Sequence, residues 1–351
     1  MKVEKKVISN LNKCYSMTTL PYKGENCFLV AAEKHDPCYL FAEDGTLLET
    51  VWTEPGGVMT MTPVPNGNGS FLATHQFYSP NDSAAAKIVI AEPGENGWNI
   101  RTLCDAPFVH RFGLLQRNGV TYLIVCCLKS GHEFKNDWRS YGVTYGAVLP
   151  EDLSAYNETN QLKLTPIKIG MLKNHGYSLF KQDGYDTAVV ACEQGVFQFI
   201  PPVAVGEPWE VKQLLSSPSS DAVLADFDGD GKLELGSIAP FHGNSVVIYH
   251  LDEHDNYVPQ WKLPLPEAQT EMVHATWICE LLGKTRWIVG WRKGTKDTVA
   301  ISWGEGDYVV DYIDRNTGCA NAMHFVNKDG KDVIVGTNRE IDEVAMYIIT
   351  E

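Results

Sequence analysis

Short apolar strands recur along this chain, and each follows a turn that contains a glycine. The turns hold Gly24, Gly69, Gly119, Gly184, Gly231, Gly283 and Gly330, so successive repeats lie 45, 50, 65, 47, 52 and 47 residues apart. The strands that follow read CFLVAAE, SFLATHQ, TYLIVCC, TAVVACE, LELGSIA, RWIVGWR and KDVIVGT. Apolar runs this short, with almost no helical periodicity between them, indicate β-strands. A strand-based repeat of about fifty residues predicts a sheet unit that is repeated around an axis.

Each repeat divides into four strands, named A to D from the innermost to the outermost. In the first repeat these strands are about Cys14–Leu20, Cys27–Ala32, Cys38–Ala42 and Leu47–Thr53. The last repeat is one strand short, whereas Lys5–Ser9 supplies a spare strand near the N-terminus. We therefore predict an all-β, seven-bladed β-propeller with four-stranded blades, in which the N-terminal strand closes the last blade. Residues 1–351 are expected to form this single domain.

The charge balance argues against several classes of partner. The chain carries 29 basic and 44 acidic residues, a net charge of −15, which is unsuited to nucleic acid or an anionic membrane. No apolar run reaches the roughly 18 residues of a spanning helix, and the N-terminus has no apolar signal core. We therefore expect a cytoplasmic protein whose nine cysteines are reduced and structural. The absence of a CxxC pair argues against a zinc role for them. The sequence leaves oligomerisation open.

Most histidines are predicted to lie on one face of the propeller. Because the strands of a blade alternate in direction, the D-to-A and B-to-C loops share a face, termed the top face. Seven of the ten histidines fall there: His110, His175 and His274 open strand A of blades 3, 4 and 6, and His35, His75, His132 and His242 follow strand B of blades 1, 2, 3 and 5. Imidazole is the commonest metal ligand and a neutral-pH acid or base, so this face is a candidate reaction centre. The alternative is that each histidine is only a solvated loop residue or a packing residue.

Cationic and aromatic residues accompany these histidines. Arg111 follows His110 and could stabilise an oxyanion. Aromatic rings combined with arginine and histidine suit a sugar site, although they would also suit a peptide groove. The residues expected to contact substrate are His75, His132, Trp138, Tyr141, His242, Trp291 and Arg292.

One turn carries a specific cation-binding pattern. Asp226, Asp228, Asp230 and Glu234 occupy positions 1, 3, 5 and 9 of the segment DFDGDGKLE, whose glycines allow a tight turn. Such a ladder of carboxylates forms an oxygen cage for Ca²⁺ or Mg²⁺. An EF-hand would need glutamate at position 12, where this chain has Ser237. The segment is an A-to-B turn, so we expect this ion on the bottom face, where it would brace the turn.

The DFDGDGKLE segment resembles the cation loops of integrin-type FG-GAP propeller repeats. Together with the strand starts VHRFG, NHGYS and VHATW, it resembles the propeller domain of the aldos-2-ulose dehydratase and anhydrofructose dehydratase family. That resemblance implies a lyase that removes water from a small keto-sugar by α-proton abstraction and β-elimination at the top face. His110, His175 and His274 would then be ligands of a zinc-type ion or the general base, and Arg111 would face the oxyanion.

Two other functions remain open from the sequence. Oligogalacturonate lyase is another seven-bladed propeller with histidine ligands, and β-elimination beside a uronate would use the same groups. Its acidic substrate would require several cations on the top face, where Arg111, Arg292 and Lys293 are a modest set. A non-catalytic ligand- or protein-binding propeller is equally compatible with the fold.

Overall fold

The two ends of the chain meet in one sheet. The computed structural model describes residues Met1 to Glu351. Strand β1 (Lys2–Asn10) lies antiparallel to β28 (Glu343–Thr350), and the pairing runs from Lys2 opposite Thr350 to Asn10 opposite Glu343. The predicted strand Lys5–Ser9 lies inside β1, so the expected closure of the last blade is confirmed. This pairing covers the edge of β28 that would otherwise be exposed.

The chain forms 28 strands in seven antiparallel groups of four. Blade 1 contains β2 (Cys14–Tyr22), β3 (Glu25–Ala32), β4 (Cys38–Ala42) and β5 (Leu47–Trp52). Blade 2 contains β6 (Met61–Pro63), β7 (Phe71–His75), β8 (Lys87–Gly94) and β9 (Gly97–Asp105). Blade 3 contains β10 (Val109–Arg117), β11 (Val120–Cys127), β12 (Val143–Val148) and β13 (Thr165–Ile169). Blade 4 contains β14 (Gly176–Gln182), β15 (Tyr185–Cys192), β16 (Gly195–Ile200) and β17 (Glu210–Leu215).

The remaining three blades complete the circle. Blade 5 contains β18 (Asp221–Ala225), β19 (Glu234–Ala239), β20 (Ser245–Leu251) and β21 (Tyr257–Lys262). Blade 6 contains β22 (Val273–Leu281), β23 (Lys284–Trp291), β24 (Thr298–Gly304) and β25 (Asp307–Asp314). Blade 7 contains β26 (Asn321–Val326), β27 (Asp332–Asn338), β28 and β1. Blades 3 and 4 are joined by a single bridge between Arg117 and Tyr185.

A central channel confirms that the blades share one axis. A cavity of about 460 Å³ is lined by strand A, or the residues just before it, of all seven blades. One lining residue from each blade in order is Ser16, Met59, Arg111, Tyr177, Asp221, Trp277 and Asn321. Apolar residues of neighbouring blades pack between the sheets, as in the cluster that joins Phe227 of the turn in blade 5 to Trp287 and Trp291 of blade 6.

Two irregularities depart from the regular repeat. Strand A of blade 2 is shortened to the three residues of β6, because the Val58 N–H donates to the Ala32 carbonyl of blade 1 instead of to its own blade. Blade 3 carries its extra length in the segments 128–142 and 149–164, as the spacing indicated. The only helical segment is a 3-10 turn at Arg339–Ile341, and no helix has the length and apolar character needed to cross a membrane.

The cysteines behave as packing residues. None is paired, and eight of the nine are buried. Cys126 packs against blade 4 residues, whereas Cys127 packs among blade 2 residues, as expected for neighbours on one strand. Burial raises the pKa of the Cys104 and Cys126 thiols to about 12, so both are poor nucleophiles at neutral pH.

Candidate functional site

Three blades turn a polar side chain toward the axis by the same backbone device. Tyr15, His110 and His274 are each the extra residue of a β-bulge, at the second position of strand A in blades 1, 3 and 6. A bulged residue has no partner in the ladder, and the local kink re-aims its side chain. The irregularity therefore brings together residues that lie 95 and 259 positions apart in the chain, as the contacts of Tyr15 show.

Four imidazoles meet at the top end of the channel. His110 stacks on His175 with ring centroids 4.1 Å apart, and His175 lies 5.2 Å from His274 and 5.0 Å from His242. His242, which the sequence assigned to substrate contact, lies 5.4 Å from His274. We call His110, His175, His242 and His274 the histidine cluster. It is contributed by blades 3, 4, 5 and 6, and all but His242 are buried.

Backbone acceptors set the proton position on three of these rings. His110 Nδ1 lies 3.3 Å from the His175 carbonyl oxygen, and His274 Nδ1 lies 2.9 Å from the Ala320 carbonyl oxygen. A carbonyl oxygen only accepts, so Nδ1 carries the hydrogen and Nε2 has a free lone pair. His175 Nδ1 faces the Ser220 carbonyl oxygen at 3.2 Å and the Asp221 carboxylate at 3.1 Å. His175 Nε2 is buried and has no hydrogen-bond partner.

Burial keeps His110, His242 and His274 uncharged. Desolvation lowers the pKa of His110, His242 and His274 well below the ordinary value of 6.5, and the positive charges that neighbouring histidines or arginines would carry lower it further. Neutral imidazole is the form that binds metal ions. His110, His242 and His274 are therefore in the form that can bind a metal ion at neutral pH.

The donor set fits a zinc-type ion. His175, His242 and His274 each offer a ring nitrogen, and these atoms all lie within 4.8 Å of one another. Three histidines with an open fourth position are a common catalytic zinc arrangement. The Asp221 carboxylate on His175 Nδ1 is the partner that typically fixes the orientation of a metal-binding histidine. The partnerless His175 Nε2 is the atom that such an ion would satisfy.

Tyr15 completes the cluster, and the sequence reasoning missed it. Its hydroxyl lies 3.0 Å from His274 Nε2 and 3.4 Å from His110 Nε2, and the side chain is buried. Burial raises the pKa of Tyr15 to about 12, so the phenol stays protonated at neutral pH. Alignment of the seven strand-A starts would have found both Tyr15 and Asp221, because they occupy the places that histidines take in blades 3, 4 and 6.

Phe241 covers the cluster, and Trp138 packs behind Phe241. Phe241 stacks on His242 with a centroid distance of 4.0 Å and meets His175 edge-on at 5.3 Å. Trp138, from the long loop of blade 3, contacts Phe241 at 5.6 Å. The buried Lys129 lies 4.6 Å from the Trp138 ring and holds the same loop by donating to the Asp137 carbonyl oxygen. Trp138 therefore reaches the cluster through Phe241, and not directly.

The two predicted arginines differ in their availability. Arg111 lines the central channel, where it donates to the Met59 carbonyl oxygen and to Asn321 Oδ1 and lies 5.6 Å from the centre of the Tyr15 ring. Arg292 is buried and paired with Glu340 at 2.8 Å. Its charge still lowers the pKa of His274 and His242, after desolvation, but its guanidinium is already engaged.

Four other predicted contact residues lie away from the cluster. Trp291 is the last residue of β23 and its side chain points into the core between blades, where it is fully buried. Its Nε1–H donates to Thr295 Oγ1. His75 packs against Trp52, and burial lowers the pKa of His75 to about 4. His132 packs against Phe108. Tyr141 is half exposed on the long loop of blade 3. The structure does not place these four rings around the histidines.

The sequence placed the site on the top face, and the structure modifies that expectation. His110, His175 and His274 do lie at the top ends of their strands, but they are covered. The cavity next to them is the central channel, whose lining includes Arg111 and Asp221. Arg111 adjoins His110 in sequence, and Asp221 contacts His175. The channel therefore ends directly below the cluster.

The acidic loop lies between β18 and β19, on the opposite face. Asp226, Asp228 and Asp230 can each place a carboxylate oxygen within 4.8 Å of the others, and Asp228 and Glu234 form a second such group with His250. His250 was not predicted, because it follows from blade packing and not from the loop pattern. Burial and the neighbouring aspartates raise the pKa of Glu234 to about 7, although the Phe227 N–H opposes this shift. Binding of Ca²⁺ or Mg²⁺ here remains a prediction.

Comparisons with known proteins address the fold. No protein-family model matches the sequence, and no curated protein sequence matches it. Virginiamycin B lyase from Staphylococcus aureus is 13% identical, with 99% of each chain covered and a TM-score of 0.59. The structure of BBS1N in complex with ARL6DN is 12% identical over 99% of this chain and 96% of that one, with a TM-score of 0.60. A glucose dehydrogenase is 11% identical, with 99% of each chain covered and a TM-score of 0.51. At these identities the likeness concerns the β-propeller fold alone.

Proposed function

We propose that this protein is a metal-dependent carbon–oxygen lyase that removes water from a small keto-sugar, with the histidine cluster as its reaction centre. The observation that carries the proposal is the buried, partnerless Nε2 of His175 within a group of three imidazoles. An unsatisfied buried polar atom costs about 1–3 kcal/mol. A divalent cation removes that cost and has two further histidines to complete its ligands.

The ion would be held by His175, His242 and His274, with Asp221 orienting His175. A bound divalent ion supplies positive charge for an oxygen atom that becomes negative during the reaction. The same cluster also supplies groups for proton transfer. His110 is uncharged and has a free Nε2 lone pair, and Tyr15 keeps its proton at neutral pH.

Dehydration of a keto-sugar needs both a proton acceptor and a proton donor. A base removes the proton next to the carbonyl, the freed electron pair forms a carbon–carbon double bond, and the β-hydroxyl leaves as water after it gains a proton. We assign proton removal to His110 Nε2 and proton donation to the Tyr15 hydroxyl. Arg111 contributes positive charge on the channel side, where the enediolate oxygen would form. Virginiamycin B lyase, which shares the fold, is also named as a lyase.

A purely structural role for the histidines is the main rival. Three Nδ1 bonds tie neighbouring blades together: His110 to blade 4, His175 to blade 5 and His274 to blade 7. Those bonds account for the Nδ1 atoms and leave His175 Nε2 without a partner. An acidic substrate of the oligogalacturonate type is less suited, because Glu340 neutralises Arg292.

Metal analysis of the purified protein tests the proposal. We expect about one zinc-type ion per chain in addition to any Ca²⁺ or Mg²⁺, and loss of that ion in His175→Ala. His254→Ala is the matched control, because the His254 side chain is 73% exposed and belongs to no group of metal-binding residues. Water loss from 1,5-anhydro-D-fructose, followed by ultraviolet absorbance of the unsaturated product, should disappear with the ion. Only Ca²⁺ or Mg²⁺, retained in both variants, would support the binding-module alternative.

A further inference from the structure

We propose that the central channel is the sugar-binding site, reached from the bottom face, and that Trp277 is its stacking platform. This inference rests on the proposed function and goes beyond it, because it names a binding site, an approach direction and a specificity residue. Neither the resemblance nor the histidine pattern singled out Trp277.

The first argument is the position of Trp277. It belongs to β22, the innermost strand of blade 6, and lines the channel, yet its side chain is 40% exposed. It belongs to none of the apolar clusters between blades, unlike Trp287 and Trp291 of the same blade. A large indole on the innermost strand that contributes to no core cluster offers a free face to a ligand.

The second argument is the chemistry at the upper end of the channel. Arg111 and Asp221 line this end, so one positive and one negative group face the same space, and the exposed Lys181 lines the channel toward the other end of β14. Hydroxyl groups of Ser16, Thr18 and Thr62 add further donors and acceptors to the wall. Opposite charges that balance at the end beside the imidazoles, together with hydroxyls and an aromatic face, suit a neutral polyhydroxylated molecule better than a uronate there, because Lys181 is exposed at the far end. The channel volume of about 460 Å³ lies in the usual range of small-ligand sites, roughly 300–1,000 Å³.

The third argument is the route. The top of the cluster is covered by Phe241, while the channel contacts the two residues that adjoin the imidazoles: Arg111 beside His110, and Asp221 on His175. Trp277 lies three positions after His274, which places the indole about 10 Å further along the strand at roughly 3.3 Å per residue. Leu179, in strand A of blade 4, is also 40% exposed and lines the channel.

Calorimetric titration of the purified, metal-loaded protein with 1,5-anhydro-D-fructose tests this site. Trp277→Ala should raise Kd at least tenfold and leave the metal content unchanged. Val309→Ala is the control, because Val309 is comparably exposed on β25, the outermost strand of the same blade. Leu179→Trp, which narrows the channel without touching an imidazole, should also raise Kd. D-galacturonate should bind more weakly than the neutral sugar.

The outcomes separate this inference from the proposed function. If wild type dehydrates the sugar and both channel variants bind and turn it over like wild type, the channel proposal is wrong and the lyase proposal stands. If both variants lose sugar binding but wild type neither holds a zinc-type ion nor turns the sugar over, the channel binds sugar and the lyase proposal is wrong. Preferred binding of galacturonate would overturn the neutral-sugar assignment.

Discussion

Glu234 makes the acidic loop a measurable source of pH-dependent stability. Its carboxyl group is buried, accepts the Phe227 N–H at 2.7 Å, and lies near three aspartates. Burial, reinforced by those aspartates, raises its pKa from 4.5 to about 7. The folded metal-free protein therefore binds more protons than the unfolded chain between these values. Its stability should fall as pH rises from about 4.5 to 7 and level off above that.

The magnitude follows from the shift. A pKa difference of about 2.5, at 1.36 kcal/mol for each pKa unit, gives an upper limit of about 3 kcal/mol for the loss of unfolding free energy. At about 2.1 cal/mol/K per residue, the unfolding entropy of 351 residues is about 0.7 kcal/mol/K. The expected change in Tm is therefore about 4 °C. Glu234→Gln removes the titration and keeps an oxygen for the Phe227 N–H, so in chelator the variant should be more stable than wild type at pH 8.

Calcium should remove most of the stability difference between wild type and the variant at pH 8. At a concentration of 100 times Kd, a bound ion stabilises the native state by about 2.7 kcal/mol, again about 4 °C here, and the variant should lose most of this gain. Differential scanning calorimetry at pH 5 and pH 8, with EGTA or with Ca²⁺, measures the Tm of both proteins under these four conditions. Glu253→Gln is the control, because that side chain is 86% exposed. A variant less stable than wild type in EGTA at pH 8, or a difference that does not change with pH, would refute the reasoning.

Three further predictions test other parts of the structure. Gly113→Ala should lower the free energy of unfolding in urea by about 1–3 kcal/mol, because the new Cβ would lie 1.8 Å from the Tyr177 hydroxyl. An unchanged unfolding midpoint would show that the Tyr177 side chain moves aside without cost. Asp221→Asn should weaken binding of the zinc-type ion about 10–100-fold in a chelator competition, since the asparagine cannot match the carboxylate on His175 Nδ1; equal affinity would remove Asp221 from the site. Deletion of residues 1–10 should lower Tm and produce aggregates in size-exclusion chromatography, because the edge of β28 loses its partner; a stable monomer would contradict this.

The repeat made the fold predictable to within a few residues at most strand ends. Each glycine turn lies beside an apolar strand, and these local signals do not depend on distant contacts. Closure by the N-terminal strand was predictable because one blade lacked a strand and one strand lacked a blade. The shortened β6 was not, since a hydrogen bond from Val58 to blade 1 competes with the pairing inside blade 2.

The candidate site was predictable only in part. Strand direction alone placed His110, His175 and His274 at one end of the axis, where they do meet. The same rule could not tell that His242 joins them while His75 packs against Trp52. His75 is the last residue of β7 and pairs with Lys87 of β8, whereas His242 lies in the loop after β19.

The sequence by itself determined the number of strands, their order and the end of each blade at which a polar residue would lie. These properties depend on alternation and turn chemistry, which are local. Tertiary structure decided which side chains reach the axis, because bulges re-aim Tyr15, His110 and His274 and leave Trp277 exposed in the channel. It also decided that Trp291 belongs to the core and that Arg292 is neutralised by Glu340. Such outcomes depend on contacts between blades, which no single repeat encodes.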